Sequence, residues 1–581
     1  MLDNAKLIFD SFLDDPAAFL SSLPSVSALY TSVARWVLMI LSLFVLMRAI
    51  ISLLKTKTPS EIWAYLSLPD GSSKPIRHWE NVIGRSKTVD IPIEIPTVSR
   101  NHGSLVRSAD GKWYYNDLGS KSGSAVNGQI VYKPVPVRSG DVINMGGAEC
   151  VLVPASLEEQ RYNHEARKKI TKKFTPWSSL IALTIIQIMV VLQFRFSHNG
   201  DLPPSIPIGF ALLCGCMWIY CILIRGTGTK FFEIETIAFF LSTLGLSVTA
   251  TASPDSVIKQ AITLCIGVVL FVMICVYLRD LKRAMKTRTL LVLGSILLLL
   301  VNLLFGSNQY GAANWIELGG FSFQPSELVK IAYILVGAAT LDELFEKKNL
   351  TLFIGFSIFC LGALAVMGDF GTAAIYFIAF LVISFMRSGD FSKLFLLIGA
   401  AAGGGLMVLR FKPYILGRIG VWRHAWDFPD AGGFQQCRTM SAGASGGIVG
   451  VGPGEGWLQG IFAADKDLVF GVLSEEWGLI VAVLAIMSIV TLGIFAVKSI
   501  KAGRSAFYTI AACTATTMFI FQTILNVFGS VDLLPLTGVT FPFVSNGGTS
   551  MIASWGMLAF LKAADTRQDA SIAVRRMKGA K

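Results

Sequence analysis

Apolar runs of about 16 to 23 residues recur along the whole chain, each long enough as a helix to cross ~30 Å of hydrocarbon. They lie near 33–54, 178–194, 206–224, 232–250, 257–278, 290–306, 326–341, 349–367, 370–388, 394–409, 469–497, 507–529 and 545–562. The pattern predicts a polytopic α-helical membrane protein of about thirteen spans. The pair around Gly368-Asp369-Phe370-Gly371 reads either as two spans or as one bent hairpin, because glycine breaks the run.

Over residues 60–155 the pattern changes to short alternating strands such as Val89-Asp90-Ile91-Pro92-Ile93 and Trp113-Tyr114-Tyr115, separated by Asp110-Gly111 and Asn127-Gly128 turns. That rhythm predicts a small all-β sandwich inserted between membrane spans.

Composition agrees: of 581 residues 53% are hydrophobic and 15% charged, and mean hydropathy is +0.60. Soluble domains do not carry that balance. The net charge of +12 gathers in clusters at Arg167–Lys173, Arg225–Lys230, Arg279–Arg288, Lys347-Lys348, Arg387, Lys498–Arg504 and Arg575–Lys578. All of these fall on one side when the spans alternate, so the charge is a topology signal that makes that side cytoplasmic. Nucleic acid is not an expected partner. The β module then lies inside the cell, and 307–325, the turn at Asp369 and the loop 410–468 lie outside. Residues 1–34 are acidic rather than basic, so the first span reads as an uncleaved anchor. The nine cysteines, most of them in apolar spans, read as reduced buried thiols.

Candidate chemistry concentrates between Gly443 and Gly478. Small residues (Gly443-Ala444-Ser445-Gly446-Gly447, then Gly450-Val451-Gly452-Pro453-Gly454) lead to Asp465-Lys466-Asp467, and Glu475-Glu476 follow inside an apolar segment. Carboxylates at membrane depth are costly, which marks the segment as a site. The outer-loop glycines suggest a backbone that wraps a ligand or hinges.

In the β module, Gly84-Arg85-Ser86, Ser99-Arg100-Asn101-His102 and Asp117-Leu118-Gly119-Ser120-Lys121-Ser122-Gly123…Asn127-Gly128 resemble a forkhead-associated (FHA) domain. The resemblance implies phosphothreonine binding through Arg85, Ser99, Arg100, Ser122 and Asn127, with His102 bracing the loops. A fork-shaped cation and hydroxyls on rigid loops suit a phosphate dianion. Ser122 stands where the family has asparagine. The implied partner is a phosphothreonine protein of a Ser/Thr kinase pathway.

Four further blocks resemble the SEDS family of FtsW, RodA and SpoVE: Gly311–Lys330, containing Gln324-Pro325-Ser326-Glu327; Gly368–Ala373; the loop ending at Asp467; and Leu534–Ser550. The resemblance implies polymerisation of glycan strands from lipid II at the outer face of the bacterial membrane, in division, elongation or sporulation, beside a class B penicillin-binding protein. It divides the chain into an anchor (1–57), an FHA-like domain (60–155), a basic linker with two extra helices (156–231), a ten-span core (232–565) and a basic tail (566–581). Asp467 matches the family's essential aspartate. The motif that usually ends His-Thr-Asp-Phe reads Asp465-Lys466-Asp467-Leu468 here; Ala313-Asn314 replaces Arg-Arg, and Asn546 replaces Tyr.

In such a reaction a sugar hydroxyl attacks an anomeric carbon that carries a polyprenyl pyrophosphate. The site needs a base, positive charge or a divalent ion, and an apolar groove. Asp467 is the expected base and metal ligand, with Asp465 second. Arg418, Arg423 and Lys466 are expected at the phosphates. Lys330, Glu327, Asp369, Ser445, Gly446, Gly447 and Ser545 are expected to line the substrate, Glu327–Lys330 reading equally as a structural ion pair at i, i+3. Mg or Mn is the expected ion, with no organic cofactor. A flippase for a lipid-linked precursor is the alternative, and a scaffold that recruits phosphoproteins the third reading. Carboxylates near the surface rather than the bilayer centre favour the enzyme.

Overall fold

A computed structural model describes residues 23–55, 62–156 (except 79, 88, 109 and 110), 174–197, 202–309, 312–318, 321–339, 347–388, 391–411, 413–501, 506–565 and 567, with isolated positions between 158 and 165. The basic stretch 166–173 and the tail beyond Arg567 lie outside the described residues, as do all residues before Leu23.

Helices α1 (Leu23–Lys55), α2 (Trp177–Ser197), α3 (Ser205–Gly226), α4 (Glu233–Ala252), α5 (Val257–Tyr277) and α6 (Leu281–Phe305) open the membrane part. After a small sheet come α7 (Pro325–Ala339), α8 (Lys347–Met367), α9 (Phe370–Ser388), α10 (Phe391–Phe411), α11 (Pro413–Val421), α12 (Phe434–Gly446), α13 (Val469–Glu476), α14 (Gly478–Lys501), α15 (Ala506–Ser530) and α16 (Gly548–Ala564). Among the described residues, eight helices are long and apolar enough to cross a membrane. Helices satisfy their own backbone groups, which hydrocarbon requires. At its centre α4 is buried along its whole length against neighbouring helices.

Three sequence expectations change. The run 469–497 is two helices, broken at Gly478, whose φ of +82° and contact with the backbone of Val449 and Gly450 leave no room for a side chain. The run 290–306 begins earlier, at Leu281. Residues 307–325, expected only to lie outside, contain an antiparallel three-stranded sheet of Ser307–Gln309, Ala312–Leu318 and Phe321–Phe323. The glycine break at 368 is a sharp turn, with φ +81°, between α8 and α9, which pack together.

The inserted module is a sandwich. One sheet has the order β2-β1-β11-β10-β7-β8, from Ser73–Ile76, Ala64–Ser67, Ala148–Pro154, Val142–Met145, Ser124–Val126 and Gln129–Ile130. The other has the order β4-β3-β5-β6-β9, from Ile91–Pro92, Glu80–Gly84, Gly103–Arg107, Trp113–Asp117 and Val135–Val137. Leu66, Ile83, Leu105, Tyr115, Ile143 and Leu152 fill the space between them.

Contacts between distant segments gather at two ends of the helices. At one, Ser253, Asn314, Asp369, the 410–468 segment and the 531–547 loop meet. At the other, Arg567 donates to Glu233 and Asp565 at 2.8 Å each, and Lys562 bonds Glu235 at 2.8 Å. Ser52 of α1 and Tyr220 of α3 also donate to Glu233 and Glu235. The FHA-like module sits at this second end, where Glu80 accepts from the amide of Ala506 at 3.2 Å.

Breaking a buried ion cluster by removing one partner leaves uncompensated charge and costs ~3–5 kcal/mol. Arg567→Met should therefore lower the thermal unfolding midpoint of the detergent-solubilised protein by several degrees, and an unchanged midpoint would show that the cluster does not hold the helix ends together.

Candidate active site and phosphopeptide site

Asp467 lies two residues before α13. It is half-buried, and among the described residues no group donates a hydrogen bond to its carboxylate. Burial pushes that carboxyl up to about 6, with Lys466 and Arg418 drawing it down and Asp465 raising it. The backbone beneath it is fixed. Its amide donates to Ala463 at 2.9 Å, and its carbonyl accepts from Asn526 Nδ2 at 3.1 Å. The same Asn526 nitrogen bonds Val539 at 2.8 Å, which ties the 531–547 loop beside the aspartate. A side chain at Gly538, where φ is +69°, would start 3.5 Å from Asp467 Oδ2.

Asp465 is committed differently. Its Oδ2 accepts from Asn546 Nδ2 at 2.6 Å and Ser253 Oγ at 3.0 Å, and its carbonyl accepts from the Asn546 amide at 2.7 Å. It braces two loops rather than offering a second base. Lys466 is exposed, with its ammonium 5.9 Å from the Trp315 ring centroid. Arg418 donates to the Leu536 carbonyl at 3.1 Å, and its charge acts on Asp467. Arg423 has an exposed side chain and a φ of +64°, held by its amide's bond to Asp532 Oδ1 at 3.0 Å. Two cations thus stand by the free carboxylate, and Arg423 lies two residues past the end of α11, the helix that carries Arg418.

Several expected substrate residues turn out to be structural. Glu327 and Lys330 form a buried 2.7 Å ion pair, so the ion-pair reading of that i, i+3 spacing is the one the fold adopts. Asp369 caps α9: Oδ1 accepts from the Thr372 amide at 3.0 Å, and Oδ2 from Asn314 at 2.8 Å and Gln324 at 3.1 Å. Ser545 accepts from the Phe541 amide and donates to the Lys466 carbonyl. Ser445 and Gly446 belong to helix α12 rather than a ligand loop. Ser445 donates to the Ala442 carbonyl, and a Cβ on Gly446 would lie 2.2 Å from the Ser474 carbonyl. These small residues let α12 approach α13 closely, and Gly447, with φ +58°, ends α12. Glu475 and Glu476 hold backbone and hydroxyl groups: Glu475 accepts from the amides of Trp457 at 2.9 Å and Leu458 at 3.0 Å, and Glu476 from Thr251 at 2.9 Å.

Residue patterns did not single out Asn526, Asp532 or Ser253. Asn526 left the one usable signal, an amide inside an otherwise apolar span. Among the described residues, no three His, Cys, Asp or Glu side chains gather as metal ligands.

In the sandwich, Arg85, Arg100 and Lys121 are exposed around two hydroxyls. The Ser99 Oγ accepts from the Lys121 amide at 3.0 Å, and the Ser122 Oγ donates to the Thr97 carbonyl at 2.9 Å. Fully buried His102 braces this apex, accepting from the Ser99 amide at 3.0 Å and lying 3.1 Å from the Gly123 carbonyl. Asn127 does not belong to it. It occupies the tight β7–β8 turn with φ +51°, and its side chain is spent on Asp141 and Val142. The apex lies at the Gly84 end of β3, and the membrane contact through Glu80 lies at the other end.

The FtsW/RodA/SpoVE family model, described as cell cycle protein, matches residues 216–569. The chain belongs to this family. An FHA domain matches residues 81–146. The family members most similar to the chain include the peptidoglycan glycosyltransferase RodA of Mycobacterium tuberculosis, 27% identical over 52% of this chain and 69% of that protein. The probable peptidoglycan glycosyltransferase FtsW of Escherichia coli O157:H7 is 29% identical over 45% of this chain and 66% of its own length. Among solved structures, Thermus thermophilus RodA is 22% identical, with a TM-score of 0.42, over 57% of this chain and 94% of that one.

The FHA apex generates a direct test. Losing a charge-assisted contact to a dianion costs ~1.5–3 kcal/mol. Arg85→Ala should weaken phosphothreonine-peptide binding at least about tenfold in calorimetry on the full protein, whereas Asn127→Ala should leave affinity within about twofold; equal losses at both positions would refute the assignment.

Proposed function

We infer that the chain is a peptidoglycan glycosyltransferase whose FHA domain brings phosphothreonine-dependent control. The observation that carries the reading is a single aspartate, Asp467, with a free carboxylate beside the cations Arg418 and Lys466, inside a family whose named members are peptidoglycan glycosyltransferases. The substrate is lipid II, and the Asp467 end faces outward, as the Lys/Arg distribution supports.

In the mechanism, Asp467 accepts the proton of the acceptor sugar hydroxyl as that oxygen attacks the anomeric carbon of the donor, inverting it. The carbon–oxygen bond to the polyprenyl pyrophosphate breaks, and the pyrophosphate leaves with the electron pair. Arg418 and Lys466 offset its developing charge. A carboxyl held at about 6 suits this role, because it is ionised at neutral pH yet basic enough to take a proton. Asp465, Asn526 and Ser545 keep the loop in place. One carboxylate together with substrate phosphates is an ordinary donor set for Mg. Such an ion, held by Asp467 and the pyrophosphate, would supply positive charge to the leaving group.

A class B penicillin-binding protein is the proposed partner, since polymerised strands need a transpeptidase to cross-link them. The flippase alternative is disfavoured by the position of Asp467 at one end of the helices rather than mid-span.

Asp467→Asn, near-isosteric, should abolish polymer formation from labelled lipid II in purified protein while leaving the melting midpoint unchanged. In the wild type the raised carboxyl must lose its proton to act as base. The rate should therefore fall as pH drops through about 6 and level off above it. Wild-type rates from the asparagine variant would end the base assignment.

Sidedness is tested separately. Single cysteines at Asp430 and Tyr132, both exposed, in a background without the nine native cysteines, should differ toward a membrane-impermeant thiol reagent on intact cells. Asp430→Cys should label and Tyr132→Cys should not until cells are opened; the reverse would invert the topology.

A further inference from the structure

The glycine segment before the Asp467 loop is held by helices that precede the part of the chain matching the family. Ser197, the last residue of α2, donates to the Gly454 carbonyl at 2.8 Å. Side chains there are excluded: a Cβ on Gly454, where φ is +82°, would lie 3.0 Å from the Phe194 ring and from Ser197 Oγ. Gly452, with φ +116°, packs the same way, its Cβ position 2.9 Å from Thr31 Cγ2 and 3.3 Å from Gln193 Nε2. Thr31 on α1 and Gln193 on α2 bond each other through Gln193 Nε2 at 2.9 Å, and Tyr30 donates to the Met189 carbonyl at 2.9 Å.

From this clamp the contacts run to the aspartate. The amides of Val451 and Gly452 donate to the carbonyls of Glu475 and Glu476 at 2.9 Å each, and the Glu475 carboxylate holds the amides of Trp457 and Leu458. Glu475 and Glu476 end α13, eight residues and ~12 Å long, and Asp467 stands just before its start. A short rigid helix thus has the glycine segment gripped at one end and the candidate base at the other.

We propose that Ser197, Thr31 and Gln193 are positioning residues for Asp467, acting through the Gly450–Leu458 segment and α13. This rests on the glycosyltransferase reading of Asp467. Helices α1 and α2 directly flank the FHA domain in the chain, so the phosphopeptide reader and the clamp on the active-site segment are borne on the same two helices. A serine at the end of α2 fits the role, since its hydroxyl reaches a backbone carbonyl that the left-handed Gly454 turns outward.

The test uses the full chain in lipid nanodiscs, with Ser197→Ala, Thr31→Val and the conservative Ser197→Thr. One ordinary hydrogen bond is worth about fivefold. Ser197→Ala should speed amide hydrogen exchange over 450–476 and lower kcat for lipid II about fivefold with KM within about twofold; Ser197→Thr should restore both, and Thr31→Val should repeat the first effect more weakly. Equal melting midpoints separate positioning from general destabilisation, and a fall in kcat matched only by a fall in midpoint overturns the proposal. Unchanged exchange over 450–476 also overturns it, whatever the activity. If wild type and Asp467→Asn polymerise equally while Ser197→Ala still alters exchange, the base assignment fails and the clamp stands as a feature of the fold alone. If Asp467→Asn is inactive and Ser197→Ala retains the wild-type kcat, the positioning role fails and the enzyme reading stands.

Discussion

The arrangement of the Asp467 end depends on the grip of two carboxylates on a backbone. Glu475 takes two consecutive amides, Trp457 and Leu458, and Glu476 takes the Thr251 hydroxyl at the end of α4. Buried donors without acceptors are costly, so a loop that gives up its amides to these two side chains has few alternative conformations. That fixes α13, and α13 fixes Asp467. Asp465, Asn526 and Ser545 then tie the aspartate's loop to α4 and α15 and to the 531–547 segment, leaving the Asp467 carboxylate as the one without a hydrogen-bond donor among the described residues of this cluster.

At the opposite end charge does a different job. Ion pairs among Glu233, Glu235, Lys562, Asp565 and Arg567 lock the start of the family core to its last helix, with Ser52 and Tyr220 drawing in α1 and α3. The extra N-terminal helices are therefore fastened at both ends, by ions and hydroxyls below and by the glycine clamp above. The FHA sandwich touches the ionic end through Glu80, at the end of β3 opposite Gly84 and the Arg85–Ser99 apex.

The positions that differ from the usual family motif also become intelligible. Asn546, in place of Tyr, bonds Asp465 twice, and Asn314, in place of Arg, bonds Asp369. Each substituted residue reaches a nearby carboxylate with a neutral amide. The loops are thereby joined without adding charge around Asp467.

Much was legible from the sequence alone, because membrane spans obey a strong length and polarity rule and FHA and SEDS motifs carry their residues in order. The many apolar helices, the inserted sandwich and the family all followed from it. What the sequence could not determine was which polar residues are used up. Ser445-Gly446-Gly447 looked like a ligand loop but is helix packing, Asn127 looked like a phosphopeptide contact but closes a turn, and Asp369, Asp465 and Ser545 are consumed by neighbours from distant segments. Residue type and spacing reveal what a side chain can donate or accept. Whether its partner is already supplied depends on contacts between segments hundreds of residues apart, as between Ser253 and Asp465 or Ser197 and Gly454, and those exist only once the helices have packed.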